Sequence, residues 1–277
     1  MGLRISTNVA SLNAQKSLVG TKYQLERSLA RLSSGFRINQ ASDDAAGLAI
    51  SEKLKGQIKG LYQAGRNAQD GVSLVQVAEG GLNEVSSMLI RLRELAIQAS
   101  SDTIGDTERK FIDVEYQQLK SEVQRIAEVT EYNGTDLLNG TGGIMDIQVG
   151  INNDPFKDRI SFNSAAADAS LEALGIVAES VASKQGAQMS LSRVDDAIVS
   201  VNAIRANFGA LQNRLQSTIQ NINIFNENLS AANSRIRDTD IAAETAEMTR
   251  NQILMRAGIS VLGQANATSQ MALALLE

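Results

Sequence analysis

The stretch VQVAEGGLNEVSSMLIRLRELAIQAS, residues 75–100, decides how this chain folds. Val75, Leu82, Leu89 and Ala96 recur every seven residues, and Ala78, Val85, Leu92 and Ala99 interleave with them. Apolar positions alternating at three and four residues make one seam along a helix, so the spacing predicts a coiled-coil helix with a buried partner. Ile50, Leu54 and Leu61 carry apolar positions back toward Ala45, and no proline interrupts them. At 1.5 Å per residue, a helix over 45–100 is about 80 Å long. Gly60, Gly65, Gly71, Gly80 and Gly81 lower its intrinsic stability, so it needs packed neighbours, and they permit close helix–helix approach.

Downstream, residues 101–106 read as a turn, and Ile112, Tyr116, Leu119, Val123 and Ile126 give a second helix with the same spacing. Asn133-Gly134 and Asn139-Gly140 mark turns. Ile144, Ile147 and Val149 face Ile160 and Phe162 across Asn152–Pro155, which predicts a β-hairpin over about 143–163. Residues 163–186, rich in Ala, Ser and Gly, read as a short surface excursion. A third long helix follows, with Val194, Ile198, Val201, Phe208, Leu215, Ile219, Ile222 and Leu229 near 3.5-residue spacing with polar interruptions. Asp195–Asp196 reads as a helix start.

Upstream, a helix is expected from about Ser6 to Leu32, with Ile5, Val9, Leu12, Val19 and Tyr23 on one stripe and Leu18, Leu25, Leu29 and Leu32 on another. Ser33-Ser34-Gly35 breaks it. Asp43–Asp44 precedes an Ala-rich helix start and reads as a cap and dipole partner rather than an acid/base pair. Arg235–Asp240 is a second linker, with Asp240 capping the last helix. The order predicts a mainly α fold: a long antiparallel helical coiled-coil bundle with a small β-hairpin, its N- and C-terminal helices paired. Residues 1–44 and 234–277 form a terminal-helix unit with its linkers, and 45–233 form the bundle.

Both ends are amphipathic and rich in Ala, Leu, Ser and Asn, with too little apolar surface for a core of their own. Two stripes on one helix call for two partners. The expectation is an assembly subunit completed by copies of itself, through Ile5, Val9, Leu12, Leu25 and Leu29 at one end and Met248, Met255, Ile259 and Leu262 at the other.

Composition narrows the chemistry. Aromatics are 4% of the 277 residues and Pro155 is the single proline, which suits long helices packed through aliphatic side chains. With no histidine and no cysteine, no Ser-His-Asp or Cys-His nucleophile and no His- or Cys-ligated metal site can exist. The reading is a non-enzyme without catalytic, metal or cofactor residues. A net charge of −5 argues against a nucleic-acid binder. Residues 1–37 are nevertheless basic, with Arg4, Lys16, Lys22, Arg27, Arg31 and Arg37 against Glu26, which reads as a charged face on an assembling helix. Residues 257–276 are uncharged over a membrane-spanning length, but Ser260, Gln264, Asn266, Thr268, Ser269 and Gln270 would be costly in lipid, so burial against protein is expected instead of membrane insertion. The N-terminus has no apolar stretch of the secretory kind.

Several long motifs, in order, carry a resemblance. ISTNVASLNA (5–14), LARLSSGFRINQASDDAAGLAIS (29–51), NAQDG (67–71), EYNG (131–134), RIRDTD (235–240) and QILMRAGISVLGQAN (252–266) resemble bacterial flagellin. The resemblance spans about 1–160 and 187–277. It implies a subunit of the hollow, extracellular flagellar filament used for swimming, with the paired terminal helices in the inner tube and the bundle in the outer tube. It further implies export as an unfolded chain through a type III apparatus. Partners would then be identical subunits, an export chaperone, and cap and hook-junction proteins. Only 163–186 is left for outer domains, so the form is compact.

RLRELAIQ (91–98) also resembles the stretch of many flagellins that a host toll-like receptor recognises, which implies contacts at Arg91, Leu95, Gln98 and Glu115. The same residues admit a purely structural reading, with Arg91 and Glu115 as a helix–helix ion pair and Leu95 as packing. A hook–filament junction protein shares similar ends, and a coiled-coil adhesin or translocator shares the helices. The Arg91–Gln98 stretch speaks against the first, and the two linkers and the hairpin against the second.

Overall fold

The computed structural model describes residues 7–274, with side chains for 7–267. Its helices are α1 (Val9–Ser34), α2 (Ala45–Ser100), α3 (Asp106–Val129), α4 (Lys184–Arg237) and α5 (Ile241–Ala274). Its strands are β1 (Glu131–Tyr132), β2 (Thr135–Asp136), β3 (Ile144–Gln148) and β4 (Arg159–Asn163). The chain divides into two compact units, Met1–Gly56 with Asn228–Glu277, and Gln57–Glu227. The division falls inside α2 and α4, further in than the linkers near 33–44 and 234–240. The ends of those two helices are tied to each other and to the linkers, as Ser51 Oγ donating to Asn233 Oδ1 (2.8 Å) and Arg237 to Glu52 (2.6 Å) show.

In Gln57–Glu227 the heptad seam of α2 is dry: Val75, Ala78, Leu82, Val85, Leu89, Leu92, Ala96 and Ala99 are all at 0% exposure. Val194, Val201, Phe208, Leu215 and Ile222 of α4, and Tyr116, Val123 and Ile126 of α3, are buried as well. Both neighbours run antiparallel to α2. On the α3 side, Arg91 pairs with Glu115 (2.8 Å), and further along α2 the Ala99 carbonyl accepts from Arg109 Nε (2.9 Å). On the α4 side, Arg93 pairs with Asp195 (2.6 Å), and Gly65 lies beside Ile222. Asp195 and Asp196 do not start a helix. The start is at Ser183, whose hydroxyl accepts from Gly186 N (3.2 Å), and both aspartates lie well inside α4.

The hairpin pairs Met145 with Phe162 and Ile147 with Ile160. It also explains two α2 glycines: a Cβ at Gly71 would meet Ile147 at 2.6 Å, and one at Gly81 would meet Thr130 at 2.7 Å. These glycines admit the hairpin and the chain leaving α3, where close helix–helix approach was expected. A second, two-residue hairpin joins β1 to β2 through Asn133 (φ 52°) and Gly134 (φ 75°), the left-handed pair that a tight hairpin turn requires.

Residues 163–186 are no surface excursion. Ala167, Ala169, Leu174, Ile176 and Val181 are buried in the core. Their irregular backbone is satisfied by a polar row on α3. Lys120 Nζ donates to the Val177 and Glu179 carbonyls (both 2.8 Å), Gln117 Nε2 to the Glu179 carbonyl (3.1 Å), and Asp113 Oδ1 accepts from Val181 N (2.8 Å) and the Ser180 hydroxyl (2.9 Å). A buried irregular segment needs such partners, because unpaired backbone groups out of water are costly.

Candidate self-assembly surface

The terminal helices pair antiparallel. Asn8 caps α1 by accepting from Ser11 N (2.9 Å) and donates Nδ2 to the Ala265 carbonyl (2.8 Å). Ser11 Oγ reaches Asn266 Oδ1 (2.8 Å), and at the other end Arg31 pairs with Glu244 (3.4 Å). Asp240 caps α5, accepting from Ala242 N (2.9 Å) and Ala243 N (3.1 Å). The inward positions are Ser11, Ala14, Leu18, Thr21, Leu25 and Ser28 on α1, facing Glu244, Met248, Asn251, Met255, Gly258, Leu262 and Ala265 on α5. Both rows alternate at three and four residues. Small side chains set a close approach, and a Cβ at Gly258 would lie 3.2 Å from Leu18.

The other faces of both helices stay apolar and uncovered. Val9, Leu12, Val19, Tyr23 and Leu29 are exposed on α1, and Ile241, Ile253, Leu254, Ile259 and Val261 on α5. An open groove of about 450 Å³, lined by Ala10, Ala14, Leu18, Leu254, Gly258 and Val261, runs between the helices. Of the residues expected to drive assembly, Val9, Leu12, Leu29 and Ile259 lie on this outer surface. Leu25, Met248, Met255 and Leu262 line the intramolecular seam, and Ile5 lies outside the described residues. Leu29 therefore belongs to the outer stripe, not to that of Leu18 and Leu25.

The two linkers are joined to each other. Arg37 N donates to the Arg237 carbonyl (2.7 Å), Thr239 N to the Gly35 carbonyl (3.0 Å), and Arg237 lies 4.6 Å from the Phe36 ring. Asp44 caps α2 through Gly47 N (2.8 Å). Asp43 accepts from Asn39 N and Gln40 N and pairs with Arg27 (3.1 Å). Burial opposes its charge, but those two N–H groups, with Arg27 and Arg31, hold the Asp43 carboxyl below the usual range. Within the basic N-terminal stretch, Lys22 pairs with Glu26, Arg27 with Asp43 and Arg31 with Glu244.

On the α2–α3 surface, Arg91, Gln98 and Glu115 are exposed. Arg91 pairs with Glu115 (2.8 Å) and Glu94 (2.9 Å), and Glu115 first, then Glu94, raises the guanidinium pKa. Leu95 differs: at 2% exposure it is a core side chain on the inner seam and offers no surface to a partner.

Two family descriptions match the chain: "Bacterial flagellin N-terminal helical region" over residues 5–142 and "Bacterial flagellin C-terminal helical region" over 191–276. The flagellin of Halalkalibacterium halodurans is 43% identical over 272 residues, covering 98% of this chain and 99% of that one. The chain belongs to the bacterial flagellin family. The flagellar filament 30.7 kDa core protein of Treponema maltophilum is 41% identical over 287 residues, covering 98% and 99%. Bacillus cereus flagellin, a crystal structure, is 32% identical with a TM-score of 0.50, covering 57% of this chain and 88% of that one.

This flagellin is a structural subunit of the extracellular filament, built from identical copies, and not an enzyme. It is a compact form: the matched regions leave residues 143–190, which the hairpin, the buried segment after it and the first turns of α4 occupy. No helix among the described residues is long and apolar enough to cross a membrane. Sequence reasoning missed Asp113, Gln117 and Lys120. Their spacing along α3 was visible, but polar residues one turn apart read as a solvated face until the segment they hold is known.

Proposed function

We propose that the α1–α5 pair is the inner-tube element of the flagellin filament and that Gln57–Glu227 is its outer-tube element. The observation that carries this is the contrast between a dry seam in Gln57–Glu227 and two apolar, uncovered outer faces on α1 and α5. Burial of those faces between neighbouring subunits would offset the entropy of ordering the terminal helices, so the pair orders on assembly. A chain whose ends order last suits export in unfolded form, with a chaperone covering the apolar faces beforehand and cap and hook-junction proteins meeting them at the filament ends. Removing residues 1–30 or 250–277 is expected to abolish polymerisation while leaving the helical core folded, read by electron microscopy on seeds and by circular dichroism. Filaments from either truncation would overturn the assignment.

For host recognition, Arg91, Gln98 and Glu115 are the surface offered to a toll-like receptor, with Leu95 supporting them from beneath. Arg91→Ala monomer should lose signalling in a receptor-reporter assay while its unfolding midpoint stays close to wild type. Undiminished signalling would sink the contact.

A further inference from the structure

Phe156 is the most exposed large apolar side chain among the described residues, at 92%. A solitary exposed apolar side chain is ordinary on any surface; what sets Phe156 apart is the turn that holds it. Asp154 Oδ1 accepts from Phe156 N (3.0 Å), Asp158 N donates to the Asp154 carbonyl (2.9 Å), and Asp158 Oδ2 accepts from Asp154 N (3.0 Å). Val149 N and Gly150 N both donate to the Asp158 carbonyl (2.8 and 3.0 Å), and Pro155 fixes one more backbone angle. The hairpin tip is a cross-braced loop with an aromatic ring standing in water. The backbone that carries the ring has already lost much of the freedom that binding would cost, which favours an interface anchor.

The same unit carries a complement at a different place. Between β4 and α4 lies an open groove of about 340 Å³, lined by Phe162, Ile204, Phe208, Ala210, Leu211 and Arg214. Phe162 and Phe208 form a tilted aromatic pair 5.5 Å apart beneath the groove, at 2% and 4% exposure, so an entering side chain rests on Ala210 and Leu211 at its wall. A knob and a hole at separate places on one chain make a heterologous contact, the kind that generates an open helical polymer rather than a closed dimer. This chain forms such a polymer.

We infer that Phe156 of one subunit docks into the Phe162–Phe208 groove of a second copy in the filament. The inference rests on polymerisation of the chain, which wild-type pelleting reads separately. The sequence contains no tryptophan and no cysteine, so both probes are unique. A trace of Phe156→Trp chain in filaments of excess wild type should show blue-shifted emission and reduced acrylamide quenching relative to its monomer. Phe156→Cys chain and Ala210→Cys chain, mixed, polymerised and oxidised, should give a cross-linked dimer absent from the unpolymerised mixture. Phe156→Ala should raise the critical concentration at least about tenfold, as loss of a buried aromatic anchor does, with monomer unfolding unchanged. Pelleted filaments in which Trp at 156 emits as in the monomer, or which yield no cross-linked dimer, would overturn the docking. The Trp tracer, carried by wild-type chain, keeps the test open should the Cys variant add poorly to seeds. Wild-type chain that does not pellet would strike the filament reading instead.

Discussion

The two seams of this flagellin share a period and differ in what fills it. In Gln57–Glu227 the repeating positions hold Val, Leu, Ala and Phe, and α2 presents a row of them at 0% exposure. Between α1 and α5 the same spacing holds Ser11, Ala14, Thr21 and Ser28 against Asn251, Gly258 and Ala265, with Leu18, Leu25, Met255 and Leu262 between them. A fully buried Leu contributes about 1.5–3 kcal/mol, while a Ser or Gly lets helices close in and contributes little. Period specifies that two helices pair; side-chain volume specifies whether the pair stands without neighbours.

The sharpest way to break that contrast is to cut one side chain from each seam. Leu89→Ala opens a cavity in the dry seam and should lower the unfolding free energy of the monomer by about 2–5 kcal/mol, read by urea denaturation. Leu18→Ala should leave the same midpoint in place and show its cost in seeded polymerisation. Equal loss of monomer stability from both would mean that the terminal pair is a core like the other.

A smaller effect separates the units by pH. Tyr116 is fully buried, and the one hydroxyl beside its own is that of Ser190, which donates to Glu179 (3.0 Å) and lowers the Tyr116 pKa only in part. Burial, with the charges of Glu179 and Asp113, pushes its pKa from 10.0 up to about 12. The folded chain keeps this proton where the unfolded chain loses it. The stabilisation is therefore fully present below pH 10 and is lost as pH rises to about 12, a span of about 3 kcal/mol. Burial moves Lys120 down, so its own contribution grows with pH up to 10.5 and cannot cause a fall above that point. Tyr116 lies in Gln57–Glu227, so this alkaline fall belongs to that unit. Denaturation midpoints of wild type should fall between pH 10 and 12, and Tyr116→Phe should flatten that limb. A limb unchanged in Tyr116→Phe would assign it to another group.

What was legible in the sequence follows the same division. Val75 to Ala99 and Val194 to Ile222 announced the long helices because a seven-residue period in large aliphatic residues has one reading. Gly35, Asp44 and Asp240 marked the ends of helices through local chemistry, which needs no knowledge of the fold. Of the two readings of Leu95, packing is the one its burial supports, and its spacing from Leu92 and Ala99 already put it inward. Residues 163–186 were misjudged. Ala167, Ile176 and Val181 are spaced irregularly, and the groups that bury their backbone, Asp113, Gln117 and Lys120, lie far off in sequence. The outer stripe of α1 was visible, but Leu29 could be separated from Leu25 only once the position of α5 was known.

Asn251 tests the contrast most finely. It lies in the α1–α5 seam at 1% exposure, and neither its Oδ1 nor its Nδ2 has a hydrogen-bond partner. A buried amide without partners forfeits its hydration when the helices close, whereas an apolar residue of similar size would gain from the same burial. The seam of Gln57–Glu227 has no such residue among its repeating positions on α2. Asn251→Leu should therefore stabilise the terminal pair of the free monomer by about 1–3 kcal/mol, raising helix content and slowing proteolysis of the ends. The same substitution removes a buried polar group that penalises a slipped register, so filaments grown from it should be less uniform by electron microscopy. Ends digested as fast as in wild type would show that the amide finds partners as the helices close, and that the weakness of this seam lies in its small side chains alone.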